Sequence, residues 1–253
     1  KSGMAMALGS MGYIQMLRGH LNDAQNQVQQ AIDLQKEAGL QGDRANGLNM
    51  LGDVLMAKGE MDKARASYEE SLKIASELTA PSAIASSRAE LASLEIEQGH
   101  AAQAETLSRQ AADEFAAEKL VDNEADARNT LARALLQEGK VPEARAEVDR
   151  GLALAPRDRT IHLELEVTDA RLKAREGKVA EGVKELAASA AEAERMELAG
   201  WRFQIGLAQA EVEAASNPTA ARAKLQAVEN EARAKGYSQI AAEAQAKQKE
   251  LPR

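Results

Sequence analysis

The chain has 253 residues, 44% of them hydrophobic and 28% charged, with a formal net charge of −8 and no cysteine. The acidic balance argues against a general nucleic-acid binder, which needs cationic surface to displace phosphate counterions. Without cysteine there can be no disulfide framework, thiolate metal site or cysteine nucleophile. Ala, Glu, Leu, Lys, Gln and Arg dominate, and these are strong helix formers. With three Tyr, two Phe and one Trp, the composition predicts an all-α protein whose helices approach closely through small side chains.

The first element, Ser2–Leu17, is uncharged. It is shorter than the roughly 20 apolar residues a membrane span requires, and it is broken by Gly, Ser and Gln, so a water-soluble helix is expected. The chain opens at Lys1, already inside a helical pattern, which predicts a piece of a longer protein.

Further along, a pattern repeats. Gly19, Gly59, Gly99, Gly139 and Gly177 are spaced by 40, 40, 40 and 38 residues. Five residues after each comes a small one: Ala24, Ala64, Ala104, Ala144 or Gly182. Seven residues before each stands Gly12, Gly52, Ala92, Ala132 or Ala170. Apolar residues between the turns recur at three and four, as in Leu48, Leu51 and Leu55 and then Ala64, Tyr68 and Leu72. Each unit is therefore two amphipathic helices joined by a tight turn, the glycine supplying a positive φ where a Cβ is penalised. A degenerate sixth copy fits Trp201–Lys235, with Asn217-Pro218 at its turn. Pro142 is placed at a helix start, where its missing N–H costs nothing, and Asp122 and Asp158 are expected as N-caps.

The residues Leu51, Gly52, Gly59, Ala64, Tyr68 and Ser71 resemble the tetratricopeptide repeat, and Pro156 resembles the proline that ends the family's second helix. The likeness extends over about residues 3–236, with a longer period than the family's usual one. It implies a right-handed superhelical solenoid, a single domain over 1–253. The expected repeats are about 3–40, 41–80, 81–120, 121–157, 158–198 and 199–236, with a polar capping helix at 237–251. Stretches such as LARALLQEGKVPEARAEV look similar to arrays fused to bacterial serine/threonine kinases and winged-helix regulators.

No motif for reaction chemistry emerges. His20 and His100 follow turn glycines, His162 opens another helix, and neither HExxH nor a Gly-rich phosphate loop occurs. The expectation is a non-catalytic interaction scaffold with no cofactor and no metal, the regulatory part of a larger bacterial signalling protein. It would act in the cytoplasm, or alternatively the periplasm.

In the resembling family, first helices line a concave groove. Here that face implies Tyr13 and Met16 with Met6 and Leu17, then Asn46, Asn49, Asp53 and Met56. Copy three offers Ser86, Ala89, Ser93 and Ile96; copy four Asn129 and Arg133 with Asp126 and Gln137. Copy five offers Arg171 and Arg175 with Glu164, and copy six Phe203, Gly206 and Ala210. The Met-rich end suits varied partners, whereas Asn129, Arg133, Arg171 and Arg175 suit an acidic peptide unless Asp126 and Glu164 neutralise the arginines. The five-residue carboxylate clamp of the chaperone-binding members is not matched, since Gly9 and Tyr13 stand where Lys and Asn are required. A protein or peptide partner is expected, with no nucleic acid and no membrane insertion. Small-molecule sensing and self-association through the N-terminal edge are the alternatives.

Overall fold

A computed structural model describes residues 1–251, in which thirteen helices follow one another with no strand. They are α1 (Ser2–Leu17), α2 (Leu21–Glu37), α3 (Gln41–Ala57), α4 (Met61–Glu77), α5 (Pro81–Glu97), α6 (Ala101–Glu118) and α7 (Val121–Gln137). After these come α8 (Val141–Ala153), α9 (Arg159–Arg175), α10 (Val179–Arg195), α11 (Ala199–Glu213), α12 (Pro218–Ala234) and α13 (Ser238–Glu250). Each helix packs mainly on its neighbours in sequence, and first helices also touch the first helix of the next pair, so the pairs stack as a solenoid. None of the described helices is long and apolar enough to cross a membrane.

The turn glycines do what their spacing implies. At the end of α3, Gly59 has φ +80, its N–H donates to the Met56 carbonyl at 2.9 Å, and the Glu60 N–H reaches back to Leu55 at 2.9 Å. This double bond pattern satisfies the last carbonyls of the helix and turns the chain at once into α4. The same geometry recurs at Gly19, Gly99, Gly139 and Gly177. His20 and His100 latch two of these turns, each sharing a 2.7 Å hydrogen bond with the side chain five residues earlier, Gln15 and Glu95.

The small residues in mid-helix are contact points. A Cβ on Gly12 would lie 2.6 Å from Val28 Cγ2, and one on Gly52 would run into the Tyr68 ring. Pro142 lies in the first turn of α8, and Asn217 caps α12 ahead of Pro218, accepting from the Ala220 N–H at 3.1 Å. Asp158 caps α9 through the Thr160 N–H at 2.8 Å. Asp122 does not cap α7, because Leu120 occupies that position; its carboxylate instead accepts from the Arg157 N–H at 2.7 Å and ties two inter-repeat turns together.

The array also closes on itself. Tyr237 Oη donates to the Met16 carbonyl at 3.1 Å, and Leu21, Ala24 and Val54 share one apolar cluster with Phe203, Tyr237, Ile240 and Ala244. Leu17 packs on the cluster of Leu198 and Ile205, and Arg18 pairs with Glu197 at 3.6 Å. Helix α13 is therefore more than an end cap. Ile240, Ala241 and Ala244 are buried, while the opposite side, expected to face solvent, runs along the turn edge of the groove. Ser238 sits against Gly59, and Gln239 Nε2 donates to Glu97 Oε2 at 3.2 Å.

Candidate functional site

The concave face divides into two charged regions. The first is a row of acids on successive first helices: Asp53 on α3, Glu90 on α5, Asp126 on α7 and Glu164 on α9. Burial is the leading cause of their raised pKa values, which reach about 6 for Asp53, about 6 for Asp126 and about 8 for Glu164. Glu90 is raised well above the ordinary range by burial and then by the Asp53 charge. The side-chain interaction between Asp53 and Glu90 lowers the Asp53 carboxyl and raises that of Glu90. The fully buried Tyr68 donates its phenol to Asp53 Oδ1 at 2.8 Å. Tyr13, on α1, is raised first by burial and then by Asp158, Asp53 and Glu164. Among the described residues no group of three or more His, Asp and Glu is arranged to hold a metal.

The second region is a cavity of ≈ 1060 Å³ where the ends of α5, α7, α9 and α11 face α13. It is lined by Arg133 and Arg171, with Arg175 at its rim; Glu97, Glu211, Glu243 and Lys247 complete its charged lining. Arg133 pairs with Glu97 at 2.9 Å and Arg171 with Glu211 at 2.7 Å. Lys247 of α13 bonds to both Glu211 and Glu243. Burial alone would raise the Glu211 carboxyl, but Arg171 and Lys247 outweigh it and hold its pKa at about 2. Arg133 and Arg171 are thus paired directly with Glu97 and Glu211, while the Arg133 charge also acts at longer range on Asp126 and Glu164. Arg175, exposed at the end of α9, has no ion-pair partner among the described residues.

These positions differ in part from those implied by the sequence. Arg133, Arg171 and Arg175 come together at the cavity, and Tyr13, exposed on α1, lies within reach of the Asp53 charge. Asn49 and Asn129 are buried between helices: Asn49 accepts from Ser87 at 3.4 Å, and Asn129 accepts from the Thr168 hydroxyl at 2.7 Å. Asn46 is exposed, and Met56 is half-buried against the core under α3 and α4. Met16 packs on the closure cluster, so no pocket of Tyr13, Met16 and Met56 forms the large cavity. Phe203 leaves the groove to pack edge-on to Tyr237, their ring centroids 5.3 Å apart, and Gly206 sits against Val228. Glu211 went unnoticed although it follows Ala210 as Arg171 follows Ala170; that repeat register could have found it.

Residues 43–113 match one family model described as the tetratricopeptide repeat, and residues 90–159 match a second of the same description. Residues 43–159 thus match tetratricopeptide repeats, and the helix pairs on either side continue the same solenoid. Its fold is similar to that of a Rap protein complexed with Competence and Sporulation Factor, with a TM-score of 0.67 and 14% identity over 96% of this chain and 73% of that one. It is similar also to the apo form of RapI, with a TM-score of 0.67 and 15% identity over 99% of this chain and 86% of that one. BtubC from P. vanneervenii gives a TM-score of 0.56 and 20% identity, covering 87% of this chain and 90% of that one. At such identities the likeness is one of fold. No curated protein matches the sequence. The matched repeats support an interaction scaffold.

Proposed function

We propose that the chain is a non-catalytic scaffold, the regulatory part of a bacterial signalling protein of the cytoplasm, that captures a peptide in its concave groove. The observation carrying this reading is Arg175, an exposed cation without an ion-pair partner among the described residues. It stands at the rim of a cavity whose other charges mostly answer one another. A peptide carboxylate placed there gains a guanidinium fork without displacing an existing partner. The Rap structure that contains Competence and Sporulation Factor supports the proposal by likeness of fold.

The test is selection of random dodecapeptides on the full chain, followed by titration of the selected peptides against Arg175→Glu. Acidic peptides that lose about tenfold or more in affinity, about 1.4 kcal/mol, support the groove. Binders indifferent to Arg175→Glu contradict it.

A further inference from the structure

The first helices owe their shape to being covered on two sides. Helices α3 and α5 bury residues on more than one face, such as Leu51 and Val54 or Leu91 and Leu94, because each lies between the second helix of its own pair and that of the preceding pair. Helix α1 has no charged residue along Ser2–Leu17, yet beyond the closure contacts of Met16 and Leu17 at its end only α2 and a few residues of α3 lie against it.

The 40-residue register shows which side of α1 is open. Met11 is equivalent to Leu51, Leu91 and Leu131, which are 8%, 7% and 1% exposed, but Met11 itself is 49% exposed. Ile14 is equivalent to Val54, Leu94 and Ala134, all 0% exposed, and is itself 47% exposed. What covers the equivalents is the same each time. Val54 shares an apolar cluster with Ala24 of α2, Leu94 with Ala64 and Tyr68 of α4, and Ala134 with Ala104 of α6. Each covering helix sets an alanine on the Ile14-like position and Val28, Tyr68 or Ser108 four residues later. Met4 and Met6, also exposed, extend the open surface toward the start of α1.

We infer that the Met11–Ile14 face of α1 is a docking surface for an amphipathic helix of the chemistry of α2, α4 and α6. Such a helix carries an uncharged stripe with Ala and, four residues on, a Val, Tyr or Ser, and its charges lie on the far side. The surface continues a series of inter-repeat interfaces already filled inside the molecule, so the shape of its occupant is set by those examples. A charged helix would be refused, because α1 offers no group to answer a buried charge.

The probe is a fluorescein-labelled peptide of residues 61–80, whose own site in the folded chain is taken by α4. Added to the full chain, it is expected to raise anisotropy saturably. Ile14→Asp or Met11→Asp should weaken binding by about tenfold or more, and Ala64→Glu in the peptide should do the same. Both positions on α1 are exposed, so the variants should keep their fold, checked by circular dichroism. Absence of binding to the unaltered chain overturns the inference, as does binding that ignores Ile14→Asp. So does a dimer in sedimentation velocity that Ile14→Asp dissolves, since the face would then be occupied by a second copy.

Discussion

Tyr237 and Met16, separated by 221 positions in the sequence, are joined by a 3.1 Å hydrogen bond from the phenol to a backbone carbonyl. Gly19, with φ +83, makes this approach feasible: a Cβ there would come within 3.0 Å of Ala199 and 3.3 Å of the Tyr237 ring. The bond fastens the last turn of the array to the first. Tyr237→Phe keeps the ring packing on Phe203 and removes only the donor. It should cost about 1 kcal/mol in urea denaturation and speed amide exchange in the Arg18–His20 turn.

Packing between the two helices of a pair is set by matched small and large residues. Gly52 faces Tyr68, whereas Ala132 occupies the same place in a pair whose partner is Val148. Gly52→Ala therefore drives a methyl group into the Tyr68 ring and should destabilise by about 1–3 kcal/mol. Combining it with Tyr68→Val should cost less than the sum of the two single changes, a coupling readable in a double-mutant cycle.

The inter-repeat turn at Thr79 has φ 48, left-handed backbone that a β-branched residue adopts only under strain. Lys119, Ala155 and Glu197 fill equivalent turns with φ 58, 50 and 57. Thr79→Gly should raise stability by about 0.5–1 kcal/mol, since the relief of strain exceeds the added chain entropy of glycine. Thermal unfolding of the two proteins checks this.

The acidic interior makes stability depend on pH. Glu164, Asp126 and Asp53 have folded-state pKa values of about 8, about 6 and about 6, all above their ordinary values and raised chiefly by burial. The folded protein thus holds protons that the unfolded chain has released, and stability falls as pH rises from the ordinary carboxylate range through these values. Glu211 acts in the opposite sense, but with its pKa at about 2 its contribution is lost only in stronger acid. The melting temperature should be higher at pH 5.5 than at pH 8. Glu164→Gln should recover about 1 kcal/mol at pH 8, about 2–4 °C in a chain of this size.

What sequence could say of this molecule follows from what repeats. Gly59 and Gly52 reveal a turn and a close contact because the same needs return every 40 residues, and their φ and packing agree. Turns held by Thr79 or Glu197 carry no glycine and so leave no mark. Closure was not legible, since Gln239 meets Glu97 across 142 positions and Gln239 lies outside the repeats. The groove arginines were found by position; Asp126 and Glu164 do feel the Arg133 charge, but the direct ion-pair partners lie elsewhere. Arg133 reaches instead to Glu97, at the end of the preceding first helix, and Arg171 reaches forward to Glu211 on the next. Asn129 looked like groove surface and is instead the buried acceptor of Thr168.

Hydrogen–deuterium exchange of the full chain with and without a selected acidic peptide tests the central claim most directly. If the cavity is the binding site, protection should concentrate in the ends of α7 and α9 around Arg133 and Arg171–Arg175 and along α13. Protection confined to the convex helices α4, α6 and α8, with α9 and α13 unchanged, would contradict it.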